Sequence, residues 1–111
     1  MADEYIQVFT TTDSRDEADR LAALTVGERL AACVQVTSID STYWWEGQVE
    51  SSKEFLLTMK TTRKLFDDLA SRIREEHSYD VPEITGLPIT IGSAEYLSWI
   101  SAETGVLAKR R

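Results

Sequence analysis

Apolar residues change their spacing several times along the chain, and each change marks an element. From Tyr5 to Thr11, β-branched and aromatic residues dominate, which suits a pleated surface and predicts a first strand that Asp13 and Ser14 end. Ser14 with Glu17 three residues on has the form of a capping box, and Ala18, Leu21, Ala22, Val26 and Leu30 recur at helical spacing. A helix with one apolar face follows, weakened in its last turn by Gly27. Strand character returns from Cys33 to Ile39 and runs on toward Tyr43-Trp44-Trp45, with Glu46-Gly47 as a hairpin tip and Gln48 to about Lys60 as the return strand. On that return strand Phe55, Leu57 and Met59 share one face, and Glu54, Thr58 and Lys60 the other. Thr62 is placed to cap a second helix with Leu65, Phe66, Leu69, Ala70 and Ile73 as its apolar stripe. Leu87 to Ile91 reads as a last short strand, which Pro88 confines to a sheet edge or a strand's beginning. Ser93 caps a closing helix to about Ala102, with Tyr96, Leu97 and Ile100 on its buried side and Gly105 as its stop.

Strand, helix, strand, strand, helix, strand is the split βαβ order of the ferredoxin-like α+β sandwich, here with an additional C-terminal helix. If the first strand runs upward, right-handed crossover makes the second parallel to it, and the second helix climbs back up. Thr10 to Thr12, the Trp45 hairpin tip and the loop after the second helix then share the upper end. Cys33 starts the second strand at the lower end, so the one thiol and the one imidazole should not share a metal within a subunit. Cys33 reads instead as a small buried hydrophobe.

A chain of 111 residues, 42% hydrophobic, fits a single domain over 1–111 with a modest core, and a flexible C-terminal tail is expected over 105–111. The net charge of −7 argues against nucleic acid and anionic membranes as partners; Lys109-Arg110-Arg111 is a local exception in the tail. One cysteine forbids an intramolecular disulfide, and Asp3 and Glu4 stand where a secretory signal would be basic, which predicts a cytoplasmic protein.

Candidate chemistry gathers in His77-Ser78-Tyr79-Asp80-Val81-Pro82-Glu83-Ile84, stiffened by Pro82. His77 with Glu83 or Asp80 could bind copper or another transition metal; equally, His77 could cap the helix C-terminus as an imidazolium. Tyr43, Trp45 and Tyr79 could wall an intersubunit pocket, with Glu54 and Lys60 supplying charge for a small anion or zwitterion. Packing between subunits would use the same aromatics, and Glu54 with Lys60 could be an ordinary pair on one strand face. No nucleophile–base order, phosphate-cradling glycine loop or clustered zinc-ligand motif stands out, so neither an enzyme nor an organic cofactor is expected.

Taken together, Glu28-Arg29-Leu30-Ala31-Ala32-Cys33-Val34, Tyr43-Trp44-Trp45-Glu46-Gly47, Lys60-Thr61, the His77 to Ile84 stretch, Pro88-Ile89, Gly92 and Tyr96-Leu97-Ser98-Trp99 resemble the CutA family, the divalent-cation tolerance proteins. The resemblance implies a ferredoxin-like subunit in a tight homotrimer similar in architecture to the nitrogen-regulatory PII proteins, with pockets between subunits. It also implies a role in tolerance of copper and other divalent cations, with His77 and Glu83 in the family's positions. Some members place a cysteine at the end of the first strand; Thr10 and Thr11 stand there here, which disfavours a soft Cu(I) site. Two other functions fit the same frame: a PII-like signalling module that binds a metabolite between subunits, and a ligand-free interaction platform.

Overall fold

The computed structural model describes residues 3–105, so the expected tail falls, apart from Gly105, outside the described residues. In order the elements are β1 (Tyr5–Thr12), α1 (Arg15–Gly27), β2 (Cys33–Trp45), β3 (Gln48–Thr62), a 3₁₀ turn (Arg63–Leu65), α2 (Phe66–Glu76), β4 (Thr85–Pro88) and α3 (Ala94–Glu103). All neighbouring strands are antiparallel, in the order β2-β3-β1-β4. This is the ferredoxin-like α+β sandwich with an added C-terminal helix, as the alternation of periods predicts.

Local chemistry explains the element ends. The Ser14 side chain accepts from Glu17 N at 3.1 Å and starts α1. Ser93 does the same for α3 through Tyr96 N, and Gly105 at φ 78 receives the chain after it. Gly105 is itself buried and its N–H donates to Arg29 O at 2.9 Å, so the expected tail cannot begin at that residue. Val8, Leu57 and Met59 from the sheet meet Ala18 and Leu21 of α1 and Leu69 and Ile73 of α2, all essentially inaccessible. Each of these Val, Leu, Ile and Met side chains contributes about 1.5–3 kcal/mol through removal of apolar surface from water.

Further sequence expectations need correction: Tyr96, expected on the buried side of α3, is exposed in the chain. Thr62 makes no side-chain capping bond; its hydroxyl is buried without a partner, because a 3₁₀ turn intervenes before α2. The last strand is Thr85–Pro88 rather than 87–91. Pro88, opposite Ile6, ends it and lies on the sheet edge, where its missing N–H removes no essential ladder bond.

β1 pairs with β3 only as far as Thr12 opposite Phe55, whereas β2 and β3 continue to Trp45 opposite Gln48. Seven further residues carry the hairpin about 23 Å past the end of β1. At its tip Glu46 and Gly47 both have positive φ, 49° and 80°, the sign pattern of a tight two-residue hairpin turn. Trp44 and Trp45 are 74% and 61% exposed on this projection.

Candidate functional site

α2 delivers His77 to the upper end of β1, and the ring turns inward. Its side chain has no exposure. Nε2 lies 2.8 Å from Thr11 O and Nδ1 3.0 Å from Tyr79 N. A carbonyl only accepts and a peptide N–H only donates, so Nε2 carries the proton and Nδ1 offers its lone pair: the imidazole is one defined neutral tautomer. His77 is the C-cap residue of α2 by position, yet its ring spans β1 and the following loop instead of holding helix carbonyls. Arg20 takes that role, donating to Glu76 O at 2.8 Å and pairing with the Glu76 carboxylate.

Glu17 completes the lock from α1. Its oxygens accept from Ser78 N and Ser78 Oγ, each at 2.8 Å, and one lies 3.5 Å from His77 Nδ1. Sequence spacing identifies Glu17 as a capping-box partner; it conveys nothing of this second task, which links positions 61 residues apart. Tyr79 then crosses the top of the sheet, and its phenol donates to Glu54 Oε2 at 2.7 Å. Burial first, then the bond to Glu54, pushes the Tyr79 phenol well above its ordinary range. Glu54 lies next to Phe55, where β1 stops and the free hairpin begins. Thr11, His77, Tyr79 and Glu54 therefore form one continuous tie from the core strand to the hairpin base.

The remaining candidate residues are spread out. Asp80 and Glu83 are exposed, and Glu83 accepts from Thr85 Oγ1 at 3.0 Å. Among the described residues no group of three or more His, Cys, Asp or Glu side chains converges as a metal site. A metal at His77 would need a free lone pair on a ring nitrogen, and both nitrogens are already used. The resident donors of the loop thus do not fit a metal ion without first breaking the tie. Cys33 pairs in register with Lys60, which faces Gln7, about 13 Å below Thr11 along β1, so thiol and imidazole are apart as expected.

Within one chain, the residues expected to line an intersubunit pocket are also spread along the hairpin and sheet. Tyr43 leans back along the hairpin to Ser52 Oγ at 3.0 Å and adds to the raised pKa of Tyr79, which groups Tyr43, Tyr79 and Glu54. Trp45 sits farther out at the tip, and Lys60 is six residues from Glu54 on β3, about 20 Å away. Glu54 and Lys60 are consequently not a pair within the chain. A cleft of about 920 Å³ opens elsewhere, at the lower end, lined by Asp3, Glu4, Arg63, Phe66, Pro88 and Leu97 among others.

An α+β ferredoxin-like sandwich with an overlong, aromatic-tipped hairpin, tied at its base to a buried histidine, defines the class of this protein. Residues 6–103 match the family described as CutA1 divalent ion tolerance protein. The divalent-cation tolerance protein CutA of Thermus thermophilus is 43% identical over 99 residues, covering 88% of this chain and 96% of that protein. Protein CutA 1, chloroplastic, of rice is 42% identical over 100 residues, 89% of this chain but 56% of that protein; the chain spans about half the length of such plant relatives. The crystal structure of CutA1 from rice superposes with a TM-score of 0.90 at 40% identity, over 93% of this chain and 95% of that one. The chain belongs to the CutA family of divalent-cation tolerance proteins.

Proposed function

We propose that this protein serves divalent-cation tolerance as a ligand-responsive subunit of a PII-like homotrimer, and that His77 acts in it as an internal tie and not as a copper ligand. The carrying observation is the buried imidazole, with Nε2 on Thr11 O and Nδ1 on Tyr79 N, continued by Tyr79 to Glu54 at the hairpin base. Through that chain of bonds, a ligand that displaces the loop shifts the hairpin, and a ligand on the hairpin shifts the loop. The exposed Trp44, Trp45 and Val49 support association through the projecting hairpin, since an apolar projection of this kind marks an interaction surface.

The test is calorimetric titration of metal-free protein with Cu(II) and with Zn(II), beside a His77→Ala variant. Both proteins should give the same metal response, with the variant's tryptophan fluorescence altered because the tie to the hairpin is gone. Saturable binding by the parent that vanishes in a folded variant would return His77 to the role of metal ligand.

A further inference from the structure

Two hydrogen-bond acceptors face each other where β1, α1 and the loop after α2 meet. Nδ1 of the neutral His77 ring offers a lone pair, and Glu17 Oε2, an oxygen that only accepts, lies 3.5 Å from it. Both groups are shielded, the His77 side chain with no exposure and the Glu17 side chain with 9%. Each has its own backbone donor, Tyr79 N at 3.0 Å from Nδ1 and Ser78 N at 2.8 Å from Oε2. A lone pair beside a shielded carboxylate is an unfavourable pairing, and a proton on Nδ1 turns it into a charge-assisted bond.

The charges around the ring favour that proton. From α1 come Glu17 and Arg20, and Arg20 is already bound to the Glu76 carboxylate and to Glu76 O. α2 contributes Glu76, which Arg72 holds as well. β1 offers the Thr11 carbonyl, and Asp13, just past its end, acts on Tyr79. β3 contributes Glu54, engaged by the Tyr79 phenol, and Asp80 of the loop is exposed. Among the described residues no Lys or Arg pairs with Glu17. Glu17 therefore stands ready as the counter-charge that a buried imidazolium needs. All these groups belong to one chain, so the arrangement is complete within a subunit.

We propose that His77 and Glu17 form a proton-operated latch, in which uptake of one proton from solvent at Nδ1 moves its bond from Tyr79 N to Glu17 Oε2 and releases Tyr79. The Nε2 proton stays on Thr11 O in both states, so the ring pivots and remains on β1. Glu17 Oε2 accepts from Ser78 N and from Nδ1 together, which a carboxylate oxygen has lone pairs to do. Tyr79 N then faces another donor and turns to water. The sign follows from linkage: the released state binds one proton more than the latched state, so the latch is closed at higher pH and opens as pH falls. The consequence at the hairpin rests on the Tyr79 tie described above, whereas the proton exchange at the ring does not.

The test is a pH titration of the full chain in the presence of a metal chelator, from about pH 8 to about pH 5, the span over which imidazoles take up a proton. Ring ¹⁵N spectra should show Nδ1 gaining a proton, and the Tyr79 amide should shift with the same midpoint while the Ser78 amide keeps its bond to Glu17. In Glu17→Gln, which keeps an oxygen acceptor and removes the charge, the midpoint should fall by about one unit or more. In His77→Gln the Tyr79 amide should show no transition over this range. A ring that stays bare at the acid end, a ring that protonates while the Tyr79 amide stays in place, or an unchanged midpoint in folded Glu17→Gln would overturn the latch. If Glu17→Gln fails to fold, the parent spectra decide alone. Metal is chelated throughout, so the latch fails on proton uptake and the reading of His77 as a tie fails on metal uptake, each without the other.

Discussion

For His77, residue type and bonding geometry point in different directions. Imidazole chemistry and a neighbouring Glu83 point to a metal, and the position after α2 points to a cationic cap, but a carbonyl 66 residues away and the nearby Tyr79 amide hold the ring as a neutral bridge. Nothing in the local sequence marks Thr11 O as that partner, since any residue offers the same carbonyl. The loop's importance is legible; its bonding is not. Tyr79 provides a test at this scale. In Tyr79→Phe the buried Glu54 loses its phenol donor, and urea unfolding at neutral pH should show a loss of about 1–3 kcal/mol. The phenol's pKa is raised in the fold, so the folded state holds that proton more tightly than the unfolded chain. Its contribution is full below the unfolded value of about 10 and is lost as pH rises toward the folded one. The stability advantage of the parent over Tyr79→Phe should accordingly shrink above about pH 10; an advantage that grows with pH would contradict the assignment.

At the scale of elements, hydrophobic period was a good guide wherever one face is buried. α1, α2 and the long β2–β3 ladder follow from it because Leu21, Leu57, Leu69 and Ile73 have to reach one core. It failed at Thr62 and at the ends of β4, where a 3₁₀ turn and a proline on an edge decide the boundary and leave no periodic trace. The hairpin turn yields a prediction of its own. Glu46 occupies left-handed backbone at φ 49, a region that asparagine tolerates better than glutamate. Glu46→Asn should stabilise the hairpin by about 0.5–1 kcal/mol, and Gly47→Ala, at φ 80, should destabilise it by about 1 kcal/mol. Amide hydrogen exchange of β2 and β3 beyond Phe55 reads both effects. Between the helices, Arg72 grips Glu28 through two bonds of 2.9 and 3.0 Å and also meets Glu75 and Glu76. Arg72→Gln should lower the melting temperature at low salt, with the difference narrowing as salt rises.

For the whole molecule, the extents of 47 × 32 × 20 Å reflect a compact sandwich with a projecting hairpin that nothing among the described residues covers. The sequence groups Tyr43, Trp45, Glu54, Lys60 and Tyr79 around an intersubunit pocket; within one chain they divide into an upper group and Lys60, with Trp45 beyond both, so a pocket holding all five draws them from different subunits. That separation depends on strand register, which residue types alone do not disclose. Association in a homotrimer, as proposed, is checked by sedimentation of the parent beside Trp45→Arg: the parent should sediment as a trimer and the variant, with a charge at the apolar tip, as smaller species. A monomeric parent at micromolar concentration would contradict it. The central claim concerns the imidazole, and because the chain has a single histidine, the ¹⁵N spectrum of its ring tests it most directly. Nε2 should be protonated and Nδ1 bare, and both should stay unchanged when Zn(II) is added. A metal-induced shift of either ring nitrogen in the folded protein would contradict it.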